Sequence, residues 1–300
     1  MPGLSAKGEN ALLYLESFSF PDDDQEAGYA MGIKRTCYAS LYPFRVLSRR
    51  RFERIDFEPV TILYGGNGTG KSTALHVIAE KARLSRQAPF NKTCFFEDYV
   101  NLCSMETRED IPQGSCIITS DDVFDYMLSV REINEGVDTK RNGLFEEYFE
   151  LKRTGFQLTS IEDYEQLKKV NRARRRTQSR FVKEELGTEL RTFSNGENAF
   201  RYFSEKIAEN ALYLLDEPEN SLSPERQMEL AQFIEDSARF FNCQFVISTH
   251  SPFVLSMRGA KIYDLDSDPV DVRRWTELKN VRAYYDFFKK HERAFEEHEE

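Results

Sequence analysis

Short apolar runs punctuate the chain at 58–64 (EPVTILY), Ser115–Thr119 (SCIIT), Ala211–Leu215 (ALYLL) and Gln244–Ser248 (QFVIS). Apolar residues on consecutive positions fit strands buried on both faces. A further strand is expected at Ala260–Leu265. Between these runs the spacing is helical. Leu75, Ile78, Ala79 and Ala82 share one face after the first run, and Met228, Leu230, Ala231, Phe233 and Ile234 precede the run at 244. Ser223-Pro224 opens that second helix, because serine caps a helix and proline fits its first turn. Strands alternating with helices predict a mostly parallel central sheet with covered faces. A ligand then belongs at the carboxyl ends of the strands.

The rest of the chain reads differently. Residues 1–10 are small and polar and are expected to be disordered. Residues 12–20 (LLYLESFSF) alternate and carry aromatics, as a strand does. An acidic turn at Asp22–Glu26 and a second strand at 30–38 follow, giving an N-terminal antiparallel β element. From 123 to 190 β-branched residues thin out and charges dominate, which predicts a helical insertion. Residues 277–300 read as an amphipathic, then highly charged, helix. The expected divisions are 1–10, an N-terminal core part at 11–122, the insertion at 123–190, a C-terminal core part at 191–276 and the helix at 277–300.

Composition narrows the class. The chain has 300 residues with 40% hydrophobic and 31% charged side chains, enough for a sizeable core. No run approaches the roughly 18 apolar residues that span a bilayer, so no membrane role is expected. The start lacks the apolar stretch of a secretory signal. Five cysteines without a C-x-x-C spacing indicate neither a disulfide framework nor a zinc site, and point to reduced thiols in the cytoplasm. The net charge is −10, from 41 basic and 51 acidic side chains, which argues against a chain wrapped in nucleic acid. Residues 168–183 depart from that balance with eight Lys/Arg and no acid. Two readings stand, a solvated helix face or a contact with nucleic acid or an acidic partner. The absence of aromatics other than Phe181 favours the solvated face.

Four segments carry chemistry. Gly65-Gly66-Asn67-Gly68-Thr69-Gly70-Lys71-Ser72 fits G-x-x-x-x-G-K-[ST] in full, after a strand and before a helix. Its glycines let successive N–H groups form an anion nest, and the helix adds its positive end. Lys71 supplies charge to the β- and γ-phosphates, the Ser72 hydroxyl ligates Mg²⁺, and Thr73 belongs to the same cradle. In Leu212–Pro218 (LYLLDEP) an apolar strand delivers Asp216 to hold the metal and Glu217 to polarise the attacking water. Phe193-Ser194-Asn195-Gly196-Glu197 starts a helix whose N-terminus can hold an anion, though taken by itself an ordinary S-x-x-E cap is the favoured reading. His250, in VISTHSP, ends a buried strand where an imidazole can reach a γ-phosphate.

In this order and spacing the four segments resemble the ABC-type ATPases, a family of P-loop NTPases. S-N-G-E is similar to the family's signature motif, D-E-P-E-N-S-L-S-P to its Walker B and D-loop, and S-T-H-S-P to its switch histidine. The likeness is greatest for the soluble prokaryotic AAA-family branch grouped with RecF, SMC and OLD-type ATPases, and it covers about 58–120 and 190–265. The resemblance implies an α/β ATPase head that binds and hydrolyses Mg-ATP at a two-fold homodimer interface. Lys71, Ser72, Asp216, Glu217 and His250 would act in one protomer, and Ser194, Asn195 and Gly196 in the other. The nucleotide then works as a switch for a protein partner, an effector or nucleic acid, as in DNA maintenance or phage defence.

Two features depart from the family pattern. The Q-loop glutamine has no counterpart, and Ser120-Asp121-Asp122 stands there, so Asp121 is expected to take its metal or water role. Ser223 replaces the D-loop aspartate. Tyr42, Phe44 and Arg45 lie where an adenine contact could come from, with core packing the plainer reading for the aromatics. The insertion is too short for an SMC-type arm, and the 50 residues after His250 are too few for a nuclease domain. A transporter's nucleotide-binding subunit and an ATP-binding scaffold with negligible hydrolysis remain the alternatives.

Overall fold

The computed structural model describes residues 13–33, 40–153, 170–171, 173 and 195–296. The described residues group into two compact units, one within Met1–Val123 and Asn195–Glu300, the other within Phe124–Ser194. The first unit holds two sheets. Strands β1 (Leu15–Ser19), β2 (Arg54–Asp56) and β4 (Ser104–Thr107) form an antiparallel sheet in the order β2-β1-β4. The larger sheet contains β3 (Val60–Tyr64), β5 (Cys116–Thr119), β6 (Leu212–Asp216), β7 (Gln244–Thr249), β8 (Lys261–Asp264) and β9 (Asp271–Val272), in the order β5-β6-β7-β3-β8-β9. All its pairings are parallel except β8 with β9.

The apolar runs of the sequence become this sheet's centre. Every residue of β3 and β7 is buried, as expected for strands covered on both faces. The register sets Thr119 beside Asp216, Asp216 beside Ser248, and Tyr64 beside Thr249. Strands β3, β5, β6 and β7 therefore end at one level, and the loops that follow them meet there. Helix α2 (Lys71–Lys81) buries Ala74, Leu75, Val77, Ile78 and Ala79 against β5, β6 and β7. Full burial of each larger apolar side chain contributes about 1.5–3 kcal/mol.

One buried side chain ties the two sheets together. The Gln244 side-chain oxygen accepts from Tyr14 N and Leu15 N, both at 2.9 Å, and its amide donates to Leu15 O at 2.7 Å. Peptide groups at the entrance to β1 are satisfied in this way.

The segment after β1 differs from expectation. Asp23–Gly32 is a helix, α1, where an acidic turn and a strand from 30 were expected. The reason is local. Asp22 accepts from Gln25 N at 2.7 Å while Gln25 accepts from Asp22 N at 3.1 Å, a reciprocal capping box that starts a helix. The remainder of the expected strand, 34–38, lies outside the described residues.

Four further helices bear on the site. These are α3 (Phe96–Leu102), α4 (Ser120–Arg153), α5 (Asn195–Lys206) and α6 (Pro224–Phe240). Ser223 caps α6, with Pro224 in its first turn. A short helix, α7 (Pro252–Leu255), and α8 (Lys279–Lys290) follow, the latter exposing Tyr284, Tyr285, Phe287 and Phe288. In the second unit Leu144, Tyr148 and Ala173 form a small core. The basic segment 168–183 lies outside the described residues apart from 170, 171 and 173. Among the described residues no helix is long and apolar enough to cross a membrane.

Candidate nucleotide site

The loop 65–70 joins β3 to α2 and is shaped by close approach. A Cβ on Gly65 would stand 2.7 Å from Thr69 Oγ1. One on Gly70, where φ is +98°, would stand 2.7 Å from Leu47 Cδ2. Gly70 is thus required twice, by its left-handed backbone and by the wall behind it. Gly66, Asn67 and Gly68 are exposed at the rim, Thr69 is buried, and the Thr69 hydroxyl donates to Gly66 O at 2.9 Å. Asp266, after β8, accepts from Gly66 N at 3.0 Å and pins the loop from outside.

Lys71 is buried, and its ammonium donates to Gly65 O at 2.8 Å and Gly66 O at 3.1 Å. It lies 4.0 Å from Glu217 Oε1. The charge is held folded over the loop by carbonyls that a phosphate would replace. Ser72 donates to Asp216 Oδ1 at 3.1 Å, and Ser248 donates to the same oxygen. The end of β6 and the start of α2 are therefore joined through one carboxylate. Thr73 is buried, and its hydroxyl meets that of Tyr42 at 3.1 Å.

Glu217 follows Asp216 with φ at +48°, a conformation uncommon for a residue with a side chain. Its N–H donates to Ser248 O at 3.0 Å, and Asn220 Nδ2 donates to its Oε2 at 3.2 Å. His250 leaves β7 with Nδ1 3.9 Å from Glu217 Oε1 and 3.6 Å from Glu219 Oε1. Lys71, Ser72, Asp216, Glu217 and His250 thus stand together at the carboxyl ends of β3, β6 and β7.

The trio at 120–122 divides. Asp122 is buried and accepts from Ala88 N at 2.7 Å, Thr119 N at 2.7 Å and Thr119 Oγ1 at 2.8 Å. It holds the start of α4 to β5. Asp121 is exposed and lines a cleft of about 360 Å³ with Tyr42, Ser72, His76, Thr119 and Asp216. Of the upstream aromatics, Phe44 is core, stacked on Tyr29 at 4.4 Å, whereas Tyr42 borders the cleft. Arg45 is exposed and donates its N–H to Glu26 Oε2 at 2.7 Å.

Ser194 lies outside the described residues. Asn195 and Gly196 begin α5, and a Cβ on Gly196 would meet Ser221 O at 3.7 Å and Arg226 Cγ at 4.0 Å, in the segment after Glu217. Nothing from the phosphate-binding loop lies within 4 Å of that point. At Gly196 this helix end therefore touches the segment after Glu217 rather than the phosphate-binding loop.

The residues fit a divalent cation. Ser72 and Asp216 offer hard oxygen donors, and the cleft beside them leaves room for water and phosphate oxygens, the coordination Mg²⁺ prefers. Burial pushes the Asp216 carboxyl above its ordinary range, against the hydrogen bonds from Ser248 and Ser72, and an added positive charge would offset that burial. Among the described residues no group of three or more His, Cys, Asp or Glu side chains forms a cage by itself.

Four site contributors carried little sequence signal. Ser248 and Glu219 sit inside quoted motifs but had no assigned role. Asp266 and Asn280 are single polar residues far along the chain, brought here by the parallel sheet and the start of α8.

Fold and site together define an α/β P-loop ATPase. The family model described as ABC transporter matches residues 54–220, more than half of the chain, and that described as AAA ATPase domain matches 193–255. The chain belongs to the ABC-type ATPase family that the first of these models represents. Among solved structures it is similar to an ABC transporter in an inward-facing conformation, at 16% identity over 75% of this chain and 77% of that one, with a TM-score of 0.35. It is also similar to the SMC head domain from Thermotoga maritima, at 13% identity over 87% and 99%, with a TM-score of 0.34. A dimeric ATP-binding cassette bound to ADP and Pi matches at 15% identity over 73% and 88%, with a TM-score of 0.33. No curated protein matches the chain.

Proposed function

We propose that this ATPase is a nucleotide-dependent switch, in which ATP joins two copies of the chain and hydrolysis releases them. The observation behind this reading is the division of the site. Lys71, Ser72, Asp216, Glu217 and His250 gather at one sheet edge, while the start of α5 stands apart beside Ser221. A two-fold axis gives such a separated helix end a partner's site to complete.

In this reading the entering phosphates take over Lys71 from the Gly65 and Gly66 carbonyls, and Lys71 leaves Glu217. Ser72 and Asp216 would hold Mg²⁺, which would supply charge neutralisation to the phosphates, and Asp121 orients water in the cleft. Glu217, freed from Lys71, accepts a hydrogen bond from the attacking water. His250 contacts the γ-phosphate, and Ser194, Asn195 and Gly196 of the second copy cap it. Glu217 and Lys71 contribute positioning and charge, which phosphoryl transfer mainly requires. The setting is cytoplasmic, and the switch acts on a protein partner or nucleic acid, for which 168–183 would be the contact.

Size measurement with and without Mg-ATP tests this, using Glu217→Gln to retain bound nucleotide. A shift from monomer to dimer is expected, and a mass that ignores nucleotide would refute it. Phosphate release by the wild type at the rate of Glu217→Gln would favour a scaffold with negligible hydrolysis. The description of the matching family model favours one second reading, a transporter's nucleotide-binding subunit. Co-purification with a membrane permease would select it.

A further inference from the structure

One more carboxylate stands at the same sheet edge. Glu219 lies two residues past Glu217, in the segment leading to α6, and its side chain is only 6% exposed. Its Oε1 accepts from the Thr249 hydroxyl at 2.6 Å and from His250 N at 3.0 Å. Its Oε2 is buried without a hydrogen-bond partner among the described residues. A buried acid left half-satisfied is costly, and such groups concentrate where their charge is used.

What faces Glu219 is the switch histidine. The main chain of His250 is clamped on both sides, its N–H by Glu219 and its carbonyl by Asn280 Nδ2 at 2.6 Å. The ring is half exposed. Two acids face its Nδ1, Glu219 Oε1 at 3.6 Å and Glu217 Oε1 at 3.9 Å. Lys71 lies 4.0 Å from the same Glu217 oxygen. One Nδ1–H cannot serve both acids. If Glu217 takes it, the oxygen needed for water is occupied.

We infer that Glu219 is the positioning residue of His250. It holds the imidazole through Nδ1–H, keeps the ring off Glu217, and leaves the Nε2 edge for the γ-phosphate. A histidine's second nitrogen is set by the bond the first one makes. The inference rests on the roles given above to Glu217 and His250, and it adds the group that stops them from pairing with each other.

Glu219→Gln tests it, because the amide keeps an oxygen for Thr249 and His250 N and removes the charge facing Nδ1. Long-range proton–nitrogen correlation on ¹⁵N-labelled full-length protein reads the tautomer directly. Only four histidines occur in the chain, and a His250→Asn sample identifies the signal. In a Glu217→Gln background, which leaves Glu219 as the acid facing Nδ1, the imidazole is expected without nucleotide at about pH 8 to carry its proton on Nδ1, and with Glu219→Gln added to carry it on Nε2. In Glu219→Gln alone, kcat for phosphate release should fall about tenfold, with KM for ATP changed less than about twofold.

A tautomer unchanged when Glu219→Gln is added to Glu217→Gln, whether or not thermal stability falls, would reduce Glu219 to packing and overturn the inference. Glu217→Gln and His250→Ala are measured alongside. If either hydrolyses at the wild-type rate, the underlying reading of the site fails. If both are impaired while Glu219→Gln is normal, only the role of Glu219 fails.

Discussion

At the scale of single residues the phosphate-binding loop is held by what cannot be added to it. Gly70→Ala would combine a left-handed backbone with a methyl group pressed on Leu47. We expect it to cost about 1–3 kcal/mol of stability and to weaken ATP binding, because the loop's N–H groups must shift. Thermal melting and titration with a fluorescent ATP analogue would both have to match the wild type to refute this. His76 makes a second prediction. It stacks on Phe90 at 4.6 Å, and burial, then the nearby Arg86 guanidinium, push its pKa down to about 4. The folded state therefore binds fewer protons at His76 than the unfolded chain, whose imidazole titrates near 6.5. The stability this provides is complete above the unfolded value and is lost as pH falls toward 4. Between pH 7 and 5 the loss should be about 1–2 kcal/mol. His76→Gln should flatten that part of a denaturation profile, and an equal slope in both proteins would refute the assignment. The motif residues Gly65–Ser72, Asp216 and Glu217 were legible because each chemical role demands a residue type at fixed spacing. Glu219 was not, since its position beside the His250 ring depends on how β6 and β7 pair.

At the scale of elements, legibility followed burial. Strands β3, β6 and β7 announced themselves as apolar runs because both their faces are covered. Strand β4, Ser104–Thr107, is mostly exposed and has no such run, and β9 is two exposed residues. Helix α1 was misread because its capping box looks like an acidic turn in sequence. The strand order, with β3 inserted between β7 and β8, follows from no local pattern. Nor does the joint between the sheets, although a polar Gln244 opening an apolar run was the visible trace of it. Gln244→Ala would leave Tyr14 N, Leu15 N and Leu15 O unpaired and open a cavity. The expected cost is about 2–4 kcal/mol in urea denaturation, with a Gln244→Glu variant also destabilised because a carboxylate cannot donate to Leu15 O. A loss under about 0.5 kcal/mol for Gln244→Ala would mean that the antiparallel sheet is held elsewhere.

At the scale of the whole molecule the proposed switch must be strong enough to reverse an association equilibrium. Moving a two-state equilibrium from about 1:99 to 99:1 takes about 5.5 kcal/mol. A two-fold interface supplies each contact twice, so each γ-phosphate must contribute about half of that. Charge-assisted hydrogen bonds are worth about 1.5–3 kcal/mol each, so one or two per site from Ser194 and the first N–H groups of α5 suffice. The same arithmetic makes the switch fragile, because one substitution removes both copies of a contact. In a Glu217→Gln background, Ser194→Arg should therefore abolish the ATP-induced doubling of mass. ATP affinity of the separate chain should change less than about twofold, since Lys71 and Ser72 are untouched. Sedimentation with a titration of Mg-ATP checks both halves at once. A dimer that still forms would show that α5 does not complete the neighbouring site. Loss of ATP binding by the monomer would show that Ser194 serves its own loop instead.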